Sequence, residues 1–120
     1  MSAPVFTSVM PSLPVSDMDD AIAFYTESLG FALCFRNESN YAIVQRDGIE
    51  AGLMSMDASG IPAGAGRCYF KLSSGIEALY FDYVRREVDI LHEMRDESYG
   101  MREFMIADPD QNEINFGQAI

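Results

Sequence analysis

A chain of 120 residues with 48% hydrophobic and 22% charged side chains has room for one compact domain and is too apolar to remain disordered. Nineteen acids against eight bases give a net charge of −11, a surface that repels phosphates and draws cationic small molecules, so nucleic acid is not an expected partner. Two cysteines, Cys34 and Cys68, are too few for a disulfide scaffold, and no apolar run approaches the ~18 residues that span a bilayer. No basic segment followed by an apolar stretch opens the chain, so a cytoplasmic protein without membrane association is expected.

Phe6 to Val15 reads as extended. Pro11 and Pro14 lack N–H donors and confine that segment to a sheet edge. Met18, Ala21, Ile22, Tyr25 and Leu29 then recur at helical spacing, with Ser16 or Asp17 as cap and Gly30 as stop. Beyond Gly30 the period changes to two: Phe31, Leu33 and Phe35 alternate with Ala32, Cys34 and Arg36. Tyr41–Gln45 and Ile49–Met56 form two further strands around Asp47-Gly48, a hairpin signal. Residues 57–66, rich in Gly, Ala and Pro, read as a linker.

The order then repeats. Cys68, Phe70 and Leu72 mark a strand, and Ser73 or Ser74 is expected to cap a helix burying Ile76, Leu79, Tyr80, Tyr83 and Val84. Val88, Ile90, His92 and Met94 alternate on the next strand. Met101–Ala107 and Glu113–Gln118 follow, separated by the turn Asp108–Asn112. Two βαβββ modules, 6–56 and 67–118, repeat at a period of about 60 residues, visible in element order rather than in identity. The expected fold is α+β: a curved mixed sheet with the helices on one side and a cleft on the other. An apolar sheet face left open in this way is a liability in a monomer, which points to a homodimer.

The run Val15-Ser-Asp17-Met-Asp-Asp-Ala21-Ile-Ala-Phe24-Tyr25-Thr-Glu-Ser-Leu29-Gly30-Phe31 resembles the first-helix signature of the vicinal oxygen chelate superfamily, which includes glyoxalase I, extradiol dioxygenases and bleomycin-resistance proteins. Tyr99-Gly100-Met101-Arg102-Glu103-Phe104, running into Asp108–Asn112 and Ile114-Asn115-Phe116, is most similar to the bleomycin-resistance branch. The likeness covers about Ser8 to Gln118. Gln111 departs from it, because relatives carry glycine in that turn; glutamine there must avoid positive φ or bear its cost.

The resemblance implies metal-ligand positions at Met10, Gly52, Arg67 and Asn115. Only Asn115 among them offers a hard oxygen, so no metal and no other cofactor is expected. Glu50 and Glu113, two residues from Gly52 and Asn115, are the acids that could rescue a site. The resemblance also implies a crevice at the dimer interface lined by Phe35, Tyr41 and Tyr99, where aromatic faces stack a flat cationic heterocycle. Met101 belongs to a methionine-rich set of strand residues suited to an adaptable pocket. Glu103 could receive a cationic amine and Arg102 could orient a carbonyl or carboxylate; on one strand these two point to opposite faces. His92 reads as a core or interface histidine, Cys34 and Cys68 as small core residues, and no catalytic residue is assigned. The expected function is metal-free binding of a planar cationic antibiotic resembling bleomycin. The alternatives are a lyase or dioxygenase of the same superfamily, or a binder of an unknown metabolite.

Overall fold

A computed structural model describes residues 2–120. The order is β1 (Ser12–Val15), α1 (Met18–Ala23), β2 (Ala32–Asn37), β3 (Tyr41–Arg46), β4 (Ile49–Ser55), α2 (Met56–Ser59), β5 (Arg67–Leu72), α3 (Ile76–Arg85), β6 (Asp89–Asp96), β7 (Met101–Ala107) and β8 (Glu113–Ala119). The strands make two four-stranded sheets, β1-β4-β3-β2 and β5-β8-β7-β6. In each, the first pair is parallel and the other two are antiparallel. The fold is thus the expected α+β type, with the same topology drawn twice.

Local chemistry explains most boundaries. The Asp17 carboxylate accepts the Asp20 N–H at 2.9 Å and caps α1. The helix loosens into a π-turn over Phe24–Ser28, where the Leu29 N–H reaches back to the Phe24 carbonyl at 3.1 Å. Gly30 ends it at φ 80°, and the Arg46 guanidinium lies across that glycine to donate to the Leu29 carbonyl at 2.7 Å. Asp47 and Gly48 both take positive φ, 53° and 79°, as a type I′ hairpin turn requires.

Several expectations are corrected. Phe6–Met10 form no strand; the edge strand is Ser12–Val15, preceded by the Pro11 carbonyl, which accepts from the Gly52 N–H at 2.8 Å, and at this edge the prolines are tolerated. Gly75, not Ser73 or Ser74, precedes α3; the Ile76 N–H is met instead by the Gln118 side chain at 2.9 Å. Gln111 does adopt positive φ, 75°, held by its N–H to the Asp108 carbonyl at 2.9 Å. The linker contains the short helix α2, capped by the Ser55 hydroxyl. β-Bulges break the regular alternation in β2 and β6. Leu33 pairs with Val44 but Phe35 with Ile43, so Cys34 is the extra residue and Phe35 faces away from Leu33. In β6, Ile90 pairs with Ile106 but His92 with Met105, which separates His92 from the apolar side it was expected to share. Cys34 is exposed rather than core, whereas Cys68 is half-buried and its thiol is pushed up to about 12 by that burial.

One face of each sheet carries a helix, and the two helix-bearing faces merge into one core. Leu13, Val44 and Leu53 of the first half join Ile76, Ile106 and Phe116 of the second. Phe31 meets Phe70 across the junction at 5.8 Å between ring centres, and the buried Tyr83 hydroxyl donates to the Leu29 carbonyl at 2.8 Å. A polar knot ties the halves further. Buried Asp108 accepts from the Tyr25 hydroxyl (2.8 Å), the Asn112 amide (2.8 Å) and the backbone N–H groups of Asp110 and Asn112 (each 2.9 Å). Asn112 also donates to the Pro14 carbonyl and accepts from the Gly66 N–H, both at 2.8 Å. A carboxylate with four donors is well solvated by protein, which is what makes its burial tolerable. The faces opposite the helices remain uncovered.

Candidate functional site

The first uncovered face lies on β2, β3 and β4. Tyr41 pairs with Met54 of β4 but its ring lies over the diagonal neighbour Gly52: a Cβ added at Gly52 would sit 3.3 Å from the Tyr41 hydroxyl and 3.6 Å from the Met10 methyl. The Phe35 ring stands beside Tyr41, centres 6.3 Å apart and tilted by 54°, and is 51% exposed. Two aromatic rings beside a flexible methionine make an adaptable apolar wall.

The second face bears a concavity of about 360 Å³, lined among others by Tyr69, His92, Tyr99, Glu103, Met105 and Asn115. Glu103 is its centre. The Tyr69 hydroxyl donates to one carboxylate oxygen at 2.5 Å and the Tyr99 hydroxyl to the other. Tyr69 is on β5 and Glu103 on β7, with β8 between them. The span is possible because Gly117 stands in the middle: a Cβ there would fall 1.8 Å from the Tyr69 oxygen. The Glu103 carboxylate pushes the Tyr99 phenol up to about 12. Burial, then the same carboxylate, pushes Tyr69 well above the usual phenol range. Both phenols are therefore neutral donors at physiological pH. Arg67 is paired with Glu113 at 2.9 Å and Arg95 with Glu97 at 2.5 Å. Glu103 has no ion-pair partner among the described residues.

Phe35 and Tyr41 stand together on the first sheet, while Tyr99 and Glu103 share the cavity on the second, which neither Phe35 nor Tyr41 lines. Met101 shares the Glu103 face of β7 but does not line that cavity. Arg102 is on the opposite face, bound to Asp96 at 2.7 Å and to Glu77 of α3. The Arg102 guanidinium holds the Asp96 carboxyl below its usual range, and that of Glu77 is lowered first by its own backbone N–H and then by Arg102. Strand alternation, with Glu103 turned to the cavity, leaves Arg102 a structural ion pair. His92 lines the cavity instead of the core. Tyr69 and Gly117 escaped sequence reasoning. The available signal was that Tyr69 lies two residues from Arg67 and so shares its face.

Of the four positions at which metal ligands were expected, Met10 and Gly52 meet above the first sheet, and Arg67 and Asn115 line the cavity of the second. A thioether, a glycine, a guanidinium and a single amide do not fit a divalent cation. Glu113 is engaged by Arg67, and no group of three His, Cys, Asp or Glu among the described residues could hold a metal ion.

The sequence profile of the glyoxalase/bleomycin resistance protein/dioxygenase superfamily matches residues 6–116. The chain belongs to that superfamily. Its likeness runs to the bleomycin-resistance branch. A bleomycin resistance protein of Geobacillus stearothermophilus is 28% identical over 130 aligned positions, spanning 92% of this chain and 96% of the relative. TnmS3, an antibiotic binding protein from Streptomyces sp. CB03234, superposes with a TM-score of 0.82 at 25% identity, covering 99% of this chain and all of that one. A bleomycin-binding protein from the bleomycin producer Streptomyces verticillus, solved with copper(II)-bleomycin, has the same fold: TM-score 0.80, 22% identity, 95% and 97% covered. The four positions expected from the resemblance and the aromatic rings lie on the same uncovered sides of the sheets.

Proposed function

We propose that this superfamily member sequesters a planar cationic antibiotic of the bleomycin kind, without a metal, in two equivalent crevices of a cytoplasmic homodimer. Each crevice would join the Phe35–Tyr41 wall of one copy to the Tyr99–Glu103 wall of the other. The observation that carries this is the pair of complementary uncovered faces in one chain: an aromatic wall and an unpaired carboxylate in a concavity. Aromatic faces stack a flat ring and the carboxylate answers its charge, and neither needs a proton transfer or a Lewis acid. The segment before β1 supports a second copy. Val5, Phe6 and Val9 are 83%, 95% and 86% exposed, and such a run of bare apolar side chains calls for a partner surface. The named relatives, which bind or resist bleomycin or bind an antibiotic, support the ligand class. Protection would be stoichiometric, set by affinity and abundance rather than turnover.

The test is a calorimetric titration of chelator-treated protein with metal-free bleomycin, combined with mixed dimers. Saturable binding at two sites per dimer is expected. Tyr41→Ala and Glu103→Gln homodimers should each bind weakly. Refolding the two variants together should restore about a quarter of the wild-type sites, because half the dimers are mixed and each mixed dimer has one intact crevice. A monomer by light scattering at micromolar concentration, or no restoration on mixing, refutes the shared crevice. Turnover of methylglyoxal–glutathione in the same preparation would favour a lyase instead.

A further inference from the structure

A carboxylate offers about four acceptor directions, two on each oxygen. In Glu103 one direction on each oxygen is taken, by Tyr69 and by Tyr99. Each oxygen therefore keeps one acceptor direction for a ligand. Two adjacent acceptors match two parallel N–H donors better than they match a single point charge. The phenols also stop the carboxylate from turning, because each is anchored from a different place: Tyr69 from β5 across Gly117, Tyr99 from the loop before β7. The neighbouring arginines are already neutralised, so the charge of Glu103 is available to a ligand.

We infer that Glu103 selects ligands carrying a planar N–H cation — an amidinium, a guanidinium or a protonated amino-heterocycle — and that Tyr69, lying over Gly117, is the residue that positions it. This rests on the crevice proposed above and names the charge group that the crevice reads. A quaternary ammonium could stack on the aromatic wall but could not use the paired acceptors. A neutral amide of the same shape would bring its own carbonyl against the carboxylate and be rejected. Tyr69 does not touch the ligand's cation; it fixes the plane in which Glu103 presents its oxygens.

The probes are 4-aminobenzamidine and 4-aminobenzamide, nearly isosteric molecules of which only the first is a cation at neutral pH, with benzyltrimethylammonium as a cation lacking N–H. Titrated into the wild-type protein and followed by chemical-shift perturbation, the amidine should bind about tenfold more tightly than either of the others. Glu103→Gln should bring the amidine down to the amide's affinity. Tyr69→Phe should reduce the amidine-to-amide ratio about threefold, a change in ratio that simple loosening of the fold would not produce. Equal wild-type affinities, a preference that survives in Glu103→Gln, or no binding of the amidine overturns the inference. The mixed-dimer titration with bleomycin separates the two readings: restored sites with no amidine preference remove the charge selection alone, whereas no restoration removes the crevice.

Discussion

Replacing Asn112 with Ala should cost about 3–5 kcal/mol of stability. The side chain makes three hydrogen bonds of 2.8 Å: to the Asp108 carboxylate, to the Pro14 carbonyl and from the Gly66 N–H. Their loss is unequal. The Pro14 carbonyl keeps the Gly64 N–H at 3.2 Å, so it remains satisfied. The Gly66 N–H is left without a partner, which costs about 1–3 kcal/mol. Asp108 falls from four donors to three while still buried, and a hydrogen bond to a charged group contributes roughly 1.5–3 kcal/mol. A domain of this size with ordinary stability has about 5–15 kcal/mol in all. The variant should therefore fold but melt some 10–20 °C lower. Urea unfolding followed by far-ultraviolet circular dichroism measures it, with an unchanged slope expected if both states keep their compactness. A loss below about 1 kcal/mol would mean that water serves these groups as well as Asn112 does, and the knot would not be what joins the halves.

Gly117→Ala should leave the melting temperature within a few degrees, because the strand backbone is unstrained there, but the new methyl must displace the Tyr69 ring, so binding of metal-free bleomycin should weaken several-fold by calorimetry. Arg102→Gln should leave bleomycin affinity within about twofold of wild type, since its partners Asp96 and Glu77 lie on the helix side; a large loss would return Arg102 to the crevice. Stability should fall as pH rises. Burial raises the phenols of Tyr25 and Tyr83 and the thiol of Cys68, the last two to about 12, so their contribution is complete below the unfolded values of 9–10 and is lost toward pH 12. Urea midpoints through that range should decline, and less steeply in Tyr25→Phe; a flat profile would refute the burial of these groups.

Element order could be read from the chain because its causes are local. Asp17 caps within three residues, Gly30 stops a helix by its own φ, and Asp47-Gly48 closes a hairpin with help only from Gln45, three residues back. What failed was sidedness and long-range pairing. An extra residue in β2 turns Phe35 to the uncovered face, and a bulge in β6 does the same for His92, while the residue pattern alone continues the old phase. Tyr69 gains its role from Gly117, 48 positions away, and no local window contains both. Asp108 and Asn112 read as turn residues, and they are; that the same side chains reach Tyr25 and Pro14 depends on how the halves meet. Strand alternation could say that Arg102 and Glu103 face opposite ways but not which of them faces the cavity, because that depends on the ion pairs Arg102 makes with Asp96 and with Glu77 of α3.

The two hairpins at equivalent points of the halves are unlike. Asp47-Gly48 is a bare two-residue turn, both residues exposed, with nothing within 4 Å of where a Gly48 side chain would begin. Asp108–Asn112 closes on a buried carboxylate that four groups solvate. If both halves descend from one ancestral unit, the descendants have not been equally free to drift. Codons at the first turn can be replaced or lengthened at small cost, while those at the second are tied to partners in both halves. Substitutions would accumulate on one side of the pair, and the kinship of the halves would fade from the letters while persisting in the order of the strands.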